Sequence, residues 1–449
     1  MVELNYIFQS LEIITSLGQK KLNKLKFLTD KELISKELDK IEETISYITK
    51  FPDKVENIKL NLMYIKDITI ILERLKSGYL LDDIELFELK HFAYYYEKIR
   101  KNVDLSYLNN YSLEEVFQIL DPDNEKLPTF YIYDSYSEEL SEIRKKKKNL
   151  STEEKEVLFQ KELEIEDKIR EELTNKLFNY VENIEKSIND ISELDFVLAK
   201  SYFALQKNFV KPEFSEYIEY YSLFNPVIKD RLNEENKEYQ PIDIKLFNGV
   251  TLLTGANMTG KTVILKTIAL SQYLFQYGFY VPAKIARIKP VNKIFLISGD
   301  YQSTLSGLSS YAAEMVKLNE ILEYIKEKNN SLILLDELAR NTNPHEGKLI
   351  VKGVIEILKE HNSISLITTH FNNVADESIR KLRIKGIRKD KLKDSLIPEN
   401  INDIIDYSLI EEKDEIVPEE ALTIAKLLNI DSNLIQIIDR LKKEENSNE

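Results

Sequence analysis

Eight residues from Gly255 to Thr262 have the types and spacing of a phosphate-binding loop. Their sequence, GANMTGKT, fits the pattern G-x-x-x-x-G-K-[ST]. It follows the apolar run 250–253 and precedes the helix-compatible run 263–269. Glycines let the backbone curl so that successive N–H groups face phosphate oxygens, and the following helix N-terminus favours anions. The order strand, loop, helix predicts a nucleotide-phosphate site, with a glycine-rich turn before a helix as the alternative.

Two side chains at the end of this loop carry its chemistry. The Lys261 ammonium is expected to reach the β- and γ-phosphates, and the Thr262 hydroxyl is expected to hold Mg²⁺. The residues predicted to bind the nucleotide are Gly255, Ala256, Asn257, Met258, Thr259, Gly260, Lys261, Thr262 and Val263.

A second chemical signal follows an apolar run. Residues 331–335 read SLILL and are followed by Asp336 and Glu337. A buried parallel strand delivers its last residues to the carboxyl edge of the sheet, where nucleotides bind. We expect Asp336 to bind Mg²⁺, directly or through water, and Glu337 to polarise the attacking water as general base. The alternative, an ordinary acidic strand end, loses weight because a phosphate-binding loop lies upstream.

His370 ends a further β-rich run at residues 363–369. Its position after a strand that itself follows the acidic strand predicts a hydrogen bond to the γ-phosphate, and a purely structural histidine is the alternative. The other three histidines have no such context and are interpreted as structural. They are His91, His345 and His361.

The composition is that of a soluble globular protein. The chain has 449 residues, 43% hydrophobic and 31% charged, with no cysteine. Disulfides, thiolate zinc sites and cysteine nucleophiles are therefore excluded. No apolar run approaches the roughly 18–20 residues that span a membrane, and the N-terminus has no signal-like core, so a cytoplasmic location is expected. The net charge of −15 means that any DNA contact would need a local basic patch.

Glycine and proline divide the chain. Nine of the 11 glycines lie at or after Gly249, and no proline lies between Pro128 and Pro212. This predicts a helical first half and an α/β second half. Apolar residues spaced mostly by 3, 4 or 7 predict one long helix over 152–191, which pairs with residues 140–148 in an antiparallel arm.

Two basic runs leave alternatives open. Residues 144–148 read RKKKK at the expected arm tip, and either contact a phosphate or partner or form a solvated face, which we favour. Residues 380–385 read RKLRIK, and their alternation suggests an exposed strand with a basic face. DNA binding there is the alternative to a solvated edge strand, which we favour.

Several stretches together resemble the MutS ATPases, a branch of the ABC-type ATPase class. The stretches that carry the resemblance are 255–262 (GANMTGKT), 336–342 (DELARNT), 368–371 (TTHF) and the signature-like segment 299–311. Residues 343–347 (NPHEG) are closer to the second, recombination-associated bacterial MutS type than to the mismatch-repair type. The resemblance is strong over 215–375, fair at 418–430 and weaker over 1–210.

The resemblance implies a multidomain fold that is α and then α/β. The implied domains are a helical core and lever over 1–210, with its arm tip near 148–152, a P-loop ABC-type ATPase domain over 211–412, and a helical tail over 413–449. It also implies ATP and Mg²⁺ as ligands and a head-to-tail homodimer with composite nucleotide sites.

Three residues take roles from the resemblance. Ser309 would contact the partner's γ-phosphate in trans, a role compatible with its being a simple helix N-cap. Asn257 would sit beside the phosphates. Tyr239 falls near the place where the family stacks an aromatic ring on adenine, and core packing is the alternative. ATP binding would close the dimer and swing the helical arms.

Departures from the family pattern are expected as well. The helical core begins almost at Met1, so no mismatch-reading domain is expected. The lever helices join directly near 148–152, which leaves no room for the β-rich DNA clamp. No nuclease domain is expected after 442–446.

Two classes of function remain open. In the first, the protein is a trimmed DNA-directed MutS ATPase of mismatch repair or recombination. In the second it remodels a protein, because residues 120–137 look similar to short MutS-related proteins found with cobalamin- and pyridoxal-phosphate-dependent aminomutases, which are thought to reactivate the mutase with ATP. A nucleotide switch with little turnover is a third option, and the intact Lys261, Asp336, Glu337 and His370 argue against it.

Overall fold

The chain forms two compact units, each built from discontinuous stretches. One contains residues 8–26 and 39–205, and the other contains 1–7, 27–38 and 206–449. The computed structural model describes residues 3–126, 131–147, 152–256, 259–298, 310–340, 342–388, 405–412, 426 and 430–445. The predicted domain limits at residues 210 and 412 stay predictions.

The first half of the chain is helical, as its low glycine and proline content predicts. Its helices are α1 (Leu4–Gln9), α2 (Ser16–Asn23), α3 (Lys31–Lys50), α4 (Pro52–Leu62), α5 (Thr69–Lys76), α6 (Asp83–Arg100), α7 (Glu114–Leu120), α8 (Glu138–Lys147), α9 (Thr152–Phe178) and α10 (Val181–Lys207), with a 3-10 turn at Asp134–Tyr136. Apolar residues of α2 to α10 pack into one core, in which Leu62, Phe92 and Leu177 are almost fully buried. Helix α6 starts with a capping box, because Asp82 accepts from the Glu85 N–H and Glu85 accepts from the Asp82 N–H.

The prediction of a single helix over 152–191 is wrong in one respect. Helix α9 ends at Phe178 and α10 begins at Val181 and runs on to Lys207. Leu177 and Ile184 on either side of the break are both buried in the same core. The seven-residue spacing of the apolar seam is therefore kept across the break, so periodicity alone could not locate it.

The second half alternates strands and helices. Its strands are β1 (Glu213–Phe214), β2 (Ile218–Leu223), β3 (Ile242–Leu246), β4 (Gly249–Thr254), β5 (Ile285–Ile288), β6 (Lys293–Ile297), β7 (Ser331–Leu335), β8 (Ile364–Thr368), β9 (Arg380–Ile387) and β10 (Ile405–Glu411). Its helices are α11 (Pro226–Glu234), α12 (Lys261–Gln276), α13 (Ser310–Glu327), α14 (Pro344–Lys359) and α15 (Ser432–Glu445). The sequence prediction of an α region followed by an α/β region is confirmed.

Two sheets form in this half. A four-stranded sheet has the order β1-β5-β2-β3, and a six-stranded sheet has the order β10-β9-β4-β8-β7-β6. In the second sheet β4, β6, β7, β8 and β9 run parallel, and β10 is antiparallel to β9. Apolar side chains of the central strands pack with α13 and α14 into one core that includes Leu252, Ile333 and Val354.

The six-stranded sheet sets the place of the site. Strand β8 lies between β4 and β7, with Leu253 opposite Thr368 and Leu335 opposite Ile367. Because all three strands are parallel, the residues that follow them meet at one carboxyl edge. This edge receives the phosphate-loop residues, the acidic pair and the histidine singled out in the sequence.

The interpretation of the basic run 380–385 as an edge strand is wrong. Strand β9 pairs with β4 on one side and with β10 on the other. Alternation of polar and apolar residues is typical of any strand with one covered face, so it could not show that β10 covers this edge.

Among the helices that the structure describes, none combines the length and the hydrophobicity that a membrane span requires.

Candidate nucleotide-binding site

The loop between β4 and α12 has the backbone of a phosphate-binding turn. Gly255 and Gly260 adopt φ values of +156° and +86°, a region that favours glycine. Gly260 is the N-cap of α12 and makes no side-chain cap, so the first helical N–H groups stay directed at the loop. The Thr259 hydroxyl closes the turn by donating to the Ala256 carbonyl over 2.7 Å.

Lys261 is buried at the start of α12. Its ammonium donates to the carbonyl oxygens of Gly255 (2.8 Å) and Ala256 (3.0 Å). It also lies 3.5 Å from a carboxylate oxygen of Glu337. Burial lowers the pKa of Lys261, and the nearby charge of Glu337 opposes that shift. The lysine is therefore held inside the loop, at the end of the sheet that carries the acidic pair.

Thr262 and Asp336 come together as the phosphate-loop interpretation requires. The Thr262 hydroxyl donates to Asp336 Oδ2 over 2.6 Å, and the Thr368 hydroxyl donates to Asp336 Oδ1 over 2.7 Å. The Asp336 N–H donates to the Ile297 carbonyl at the end of β6. The Asp336 carboxylate, which follows β7, is thus held between Thr262, at the start of α12, and Thr368, which ends β8.

The turn after β7 has an unusual backbone. Glu337 and Ala339 both adopt positive φ, +48° and +58°, although neither is glycine. Such conformations are found where the surrounding structure enforces them. The Glu337 N–H donates to the Thr368 hydroxyl (2.9 Å), and the Ala339 N–H donates to both carboxylate oxygens of Glu314 (3.3 Å each).

The Glu337 carboxylate has a second cation besides Lys261. Arg340 Nη1 lies 2.6 Å from Glu337 Oε2, and the arginine side chain is mostly exposed. Glu314, which supports the same turn from α13, has its pKa raised by burial, and the Ala339 N–H opposes that shift. The turn is therefore anchored from α13 and β8 while its glutamate faces two cations.

His370 follows β8 by two residues at the same edge. Its ring is half-buried against Phe371, with 4.1 Å between the ring centroids. Burial lowers the pKa of His370, and the charge of Glu337 opposes that shift. A lowered pKa favours the neutral ring, which carries one N–H donor.

A cavity of about 750 Å³ adjoins the loop. Tyr239 and Val263, both predicted to bind nucleotide, line it, as do Gly260 and Tyr407. The Tyr239 hydroxyl accepts from the Asn225 N–H over 3.0 Å, which anchors the ring beside α11. Burial raises the pKa of Tyr239, so this hydroxyl stays protonated. The cavity is of the size that commonly holds small-molecule ligands.

Three predicted site residues lie outside the described residues. They are Asn257, Met258 and Ser309. The remaining predicted residues, Gly255, Ala256, Thr259, Gly260, Lys261, Thr262, Val263, Tyr239, Asp336, Glu337 and His370, all belong to the α/β unit. Their assigned roles stay predictions.

Four residues at the site received no role from the sequence. Arg340 and Thr368 lie within the motifs, so their proximity to Glu337 and Asp336 gave a usable signal. Glu314 and Tyr407 lie far from the motifs in sequence, and no spacing pattern links them to the site. Their place follows from the packing of α13 and β10 alone.

The basic runs face carboxylates. Arg144 pairs with Asp134, Glu162 and Glu166, and Lys147 pairs with Glu162. In β9, Arg380 pairs with Glu411 and Arg383 pairs with Glu412. Lys148 lies outside the described residues. These cations are largely neutralised within the chain, as the interpretation of 144–148 as a face paired with nearby glutamates predicts.

Fold and site together define a P-loop nucleotide-binding domain. Comparison with known proteins gives the family of this domain: residues 251–439 match the model described as MutS domain V. Residues 251–439 thus match MutS domain V, a P-loop ATPase domain, and the resemblance to MutS ATPases seen in this part of the sequence is confirmed.

Curated relatives match over part of their length. Endonuclease MutS2 of Clostridium botulinum is 32% identical over 238 residues, covering 52% of this chain and 29% of the relative. DNA mismatch repair protein MutS of Staphylococcus haemolyticus is 29% identical over 302 residues, covering 64% and 32%. Endonuclease MutS2 of Thermus thermophilus is 32% identical over 191 residues, covering 42% and 25%. The chain thus spans no more than about a third of the length of these relatives.

Proposed function

We propose that this protein binds ATP with Mg²⁺ and hydrolyses it, and that the hydrolysis drives a dimeric conformational switch. One observation carries the proposal: Thr262 at the end of the phosphate loop and Asp336 at the end of β7 meet at 2.6 Å. Lys261 and Glu337 lie beside them, 3.5 Å apart. These are the groups that P-loop ATPases use to hold the metal and the phosphates.

The donor chemistry fits Mg²⁺. Thr262 and Asp336 offer oxygen atoms, which Mg²⁺ prefers, and its usual sites take few protein ligands and are completed by phosphates and waters. When bound, Mg²⁺ would neutralise charge on the phosphate oxygens.

Each remaining side chain has a defined task in this proposal. Lys261 would exchange its loop carbonyl partners for phosphate oxygens, a stronger charge-assisted contact. Glu337 would accept the proton of the attacking water, which requires it to turn from Arg340 toward the phosphate. Neutral His370 would donate its N–H to the γ-phosphate. The cavity lined by Tyr239, Val263 and Tyr407 would take the adenine base.

The dimer follows from the family resemblance. Each nucleotide would lie between the phosphate loop of one subunit and the signature-like segment of the other, so that Ser309 completes the partner's site. ATP binding would then favour the closed dimer, because only that state offers both sets of contacts.

DNA is the first candidate client. The relatives are named as endonuclease MutS2 and DNA mismatch repair protein MutS, and a role in mismatch repair or recombination is the simplest extension. If DNA is the client, the surfaces that contact it would lie outside the two basic runs, because the arginines of those runs are paired with carboxylates.

A protein client is the second candidate, and the charge distribution favours it. The net charge is −15, and the arginines of both basic runs are paired with carboxylates. Phosphate binding needs basic groups that are free to replace counterions. The similarity of residues 120–137 to aminomutase-associated MutS proteins suggests that the client is such a mutase, which ATP hydrolysis would reactivate.

The test is the ATPase rate of the purified chain and two site variants. Glu337→Gln is expected to bind ATP but lose turnover by about a hundredfold or more, since general-base catalysis contributes ~10²–10⁴-fold. Lys261→Ala is expected to lose ATP binding or turnover. Matched controls are Glu356→Gln on α14 and Lys326→Ala on α13, both exposed. Normal turnover in Glu337→Gln would show that the base assignment is wrong.

The same assay separates the two clients. The rate is measured alone and with duplex or branched DNA, at low and near-physiological salt. Stimulation that weakens as salt rises would indicate phosphate contacts and support the DNA client. Turnover that DNA leaves unchanged at both salt concentrations would support the protein client.

A further inference from the structure

Gln240 precedes β3, and its side-chain amide makes four hydrogen bonds. Its Nε2 donates to Asp406 Oδ1 (2.9 Å) and to the Ser408 hydroxyl (3.2 Å). Its Oε1 accepts from Arg388 Nη2 (3.0 Å) and from the Tyr407 N–H (3.4 Å). A primary amide has two donor hydrogens and two acceptor lone pairs, so these four partners use its full capacity.

Two of the four partners of Gln240 line the cavity beside the phosphate loop. Arg388 and Tyr407 both line that cavity, as does Gln240 itself. A methyl group placed on Gly260 would lie 3.4 Å from two ring carbons of Tyr407. The tyrosine ring therefore stands directly against the last glycine of the loop, where a nucleotide passes from its phosphates toward its base.

The amide of Gln240 bonds to β10 where that strand leaves its regular pairing with β9. Strand β10 changes register against β9 between Asp406 and Leu409, and within this interval the Tyr407 N–H donates to Gln240 Oε1. Burial raises the pKa of Asp406, but hydrogen bonds from Ser408 and Gln240, together with the charge of Lys385, hold it well below its usual range. Asp406 is thus an ionised acceptor whose donors include Gln240, and losing that donor destabilises this corner.

We propose that Gln240 is a positioning residue that holds Tyr407 and Arg388 in the wall of the base cavity and so sets the affinity for ATP. The inference rests on the proposed ATP-binding function, because it needs the base in this cavity. Contacts to the base are the same in the ground state and the transition state. Their loss therefore weakens binding and leaves the chemical step unchanged.

The first test is Gln240→Met, which keeps the side-chain length and removes all four hydrogen bonds. The KM for ATP is expected to rise about tenfold with kcat changed by less than twofold. Gln160→Met, on an exposed position of α9, is the matched control and should change neither constant. A variant that merely folds poorly would lower kcat and leave KM unaltered, and that result would overturn the inference.

Exchanging the donor and the acceptor between Gln240 and Asp406 tests their hydrogen bond. Gln240→Glu cannot donate to Asp406 and adds a like charge beside it, so its KM should rise more than in Gln240→Met. Adding Asp406→Asn supplies a donor in the opposite direction and should return KM toward the wild-type value. If the free energy of ATP binding lost in the double variant equals the sum of the losses in the two single variants, the proposed contact is contradicted.

Failure of the inference and failure of the proposed function give different results. An inactive wild-type chain would argue against ATP hydrolysis, whereas an active chain with an unchanged KM in Gln240→Met would argue against the role of Gln240 alone. The Kd for ADP, measured by titration calorimetry on the same variants, is expected to follow the KM values and decides the matter without turnover.

Discussion

Glu337, just after β7, combines an unusual backbone conformation with two cationic neighbours. Its backbone lies in the left-handed region, and its carboxylate faces Lys261 and Arg340. As the proposed general base, Glu337 would need a fixed position and a free lone pair, so its contacts with the two cations would have to change when ATP binds. The hydrogen bonds that support the turn, rather than the ion pairs of the carboxylate, would then hold this residue in place.

The hydrogen bonds between Glu314 and the turn after β7 can be tested by mutation. Glu314→Ala removes the acceptor of the Ala339 N–H, which should let the turn relax and move Glu337. We expect kcat to fall about tenfold, which corresponds to ~1.4 kcal/mol, within the ~0.5–1.5 kcal/mol that a typical hydrogen bond contributes.

Glu314→Gln is the control for this effect, because its amide oxygen can still accept the Ala339 N–H. We expect it to keep most of the wild-type kcat in a steady-state ATPase assay. Equal losses in the alanine and glutamine variants would show that the negative charge matters and not the support of the turn.

Sequence reasoning found the residues that lie in contiguous motifs. The spacing of GANMTGKT and of the acidic pair after an apolar run singles out Lys261, Thr262 and Asp336, and the structure brings these three residues together at one sheet edge. Glu314 and Tyr407 could not be predicted, because they reach the site through the packing of α13 and β10. The role of Gln240 could not be predicted either, because its partners lie at Arg388 and on β10. A pattern in one segment carries no information on which distant segment will pack against it.

Helix α14 packs closely on the turn that carries Glu337. An added Cβ at Gly347 would lie 2.7 Å from Phe371 Cζ and 2.9 Å from the Ala339 carbonyl oxygen. The second contact is backbone, so it cannot move aside cheaply. A small residue at this helix position is therefore required for the turn to take its shape.

Gly347→Ala tests this packing at the scale of the helix. Alanine favours helix by ~1 kcal/mol, but overpacking costs about 1–3 kcal/mol. We expect a net loss of stability in urea unfolding and a lower kcat.

Gly353→Ala is the matched control, because it changes a glycine of the same helix with no atom within 4 Å of the new Cβ. It should stabilise the protein by up to ~1 kcal/mol. If both variants stabilise the chain, the contact of Gly347 with the turn is not tight.

Element types were more predictable than element limits. Glycine and proline distribution predicted helices and then strands, since both residues act locally on the backbone. The sequence does not show the helix break at 179–180, because the apolar seam continues across it. The alternation of polar and apolar residues in β9 does not show that a second strand, β10, pairs with it. Both errors arise where pairing or packing partners decide the outcome.

At the scale of the whole molecule, the dimer is the main proposal. A head-to-tail dimer requires that each ATP site contain residues of both subunits. Ser309 lies outside the described residues, and its role rests on the family resemblance.

Mixed dimers test the composite site. Ser309→Arg should block the partner's nucleotide site, so the variant alone is expected to be inactive. Mixing it with Lys261→Ala should restore one working site per heterodimer. Each heterodimer is then expected to reach up to about half the wild-type rate, and an equal mixture up to roughly a quarter of it, in a steady-state assay. No restoration over a range of mixing ratios would count against a site shared between subunits.

The strand order of the six-stranded sheet also governs when the site can form during synthesis. Strand β4 lies between β8 and β9, which begin at Ile364 and Arg380, far downstream of the phosphate loop. A nascent chain that has left the ribosome as far as α12 carries the whole loop sequence but neither neighbouring strand. Its β4, apolar and unpaired on both edges, is then a ready surface for aggregation. Nucleotide can therefore assist only the finished domain, and a chain stalled before Ile387 is expected to depend on chaperones rather than on ATP for protection.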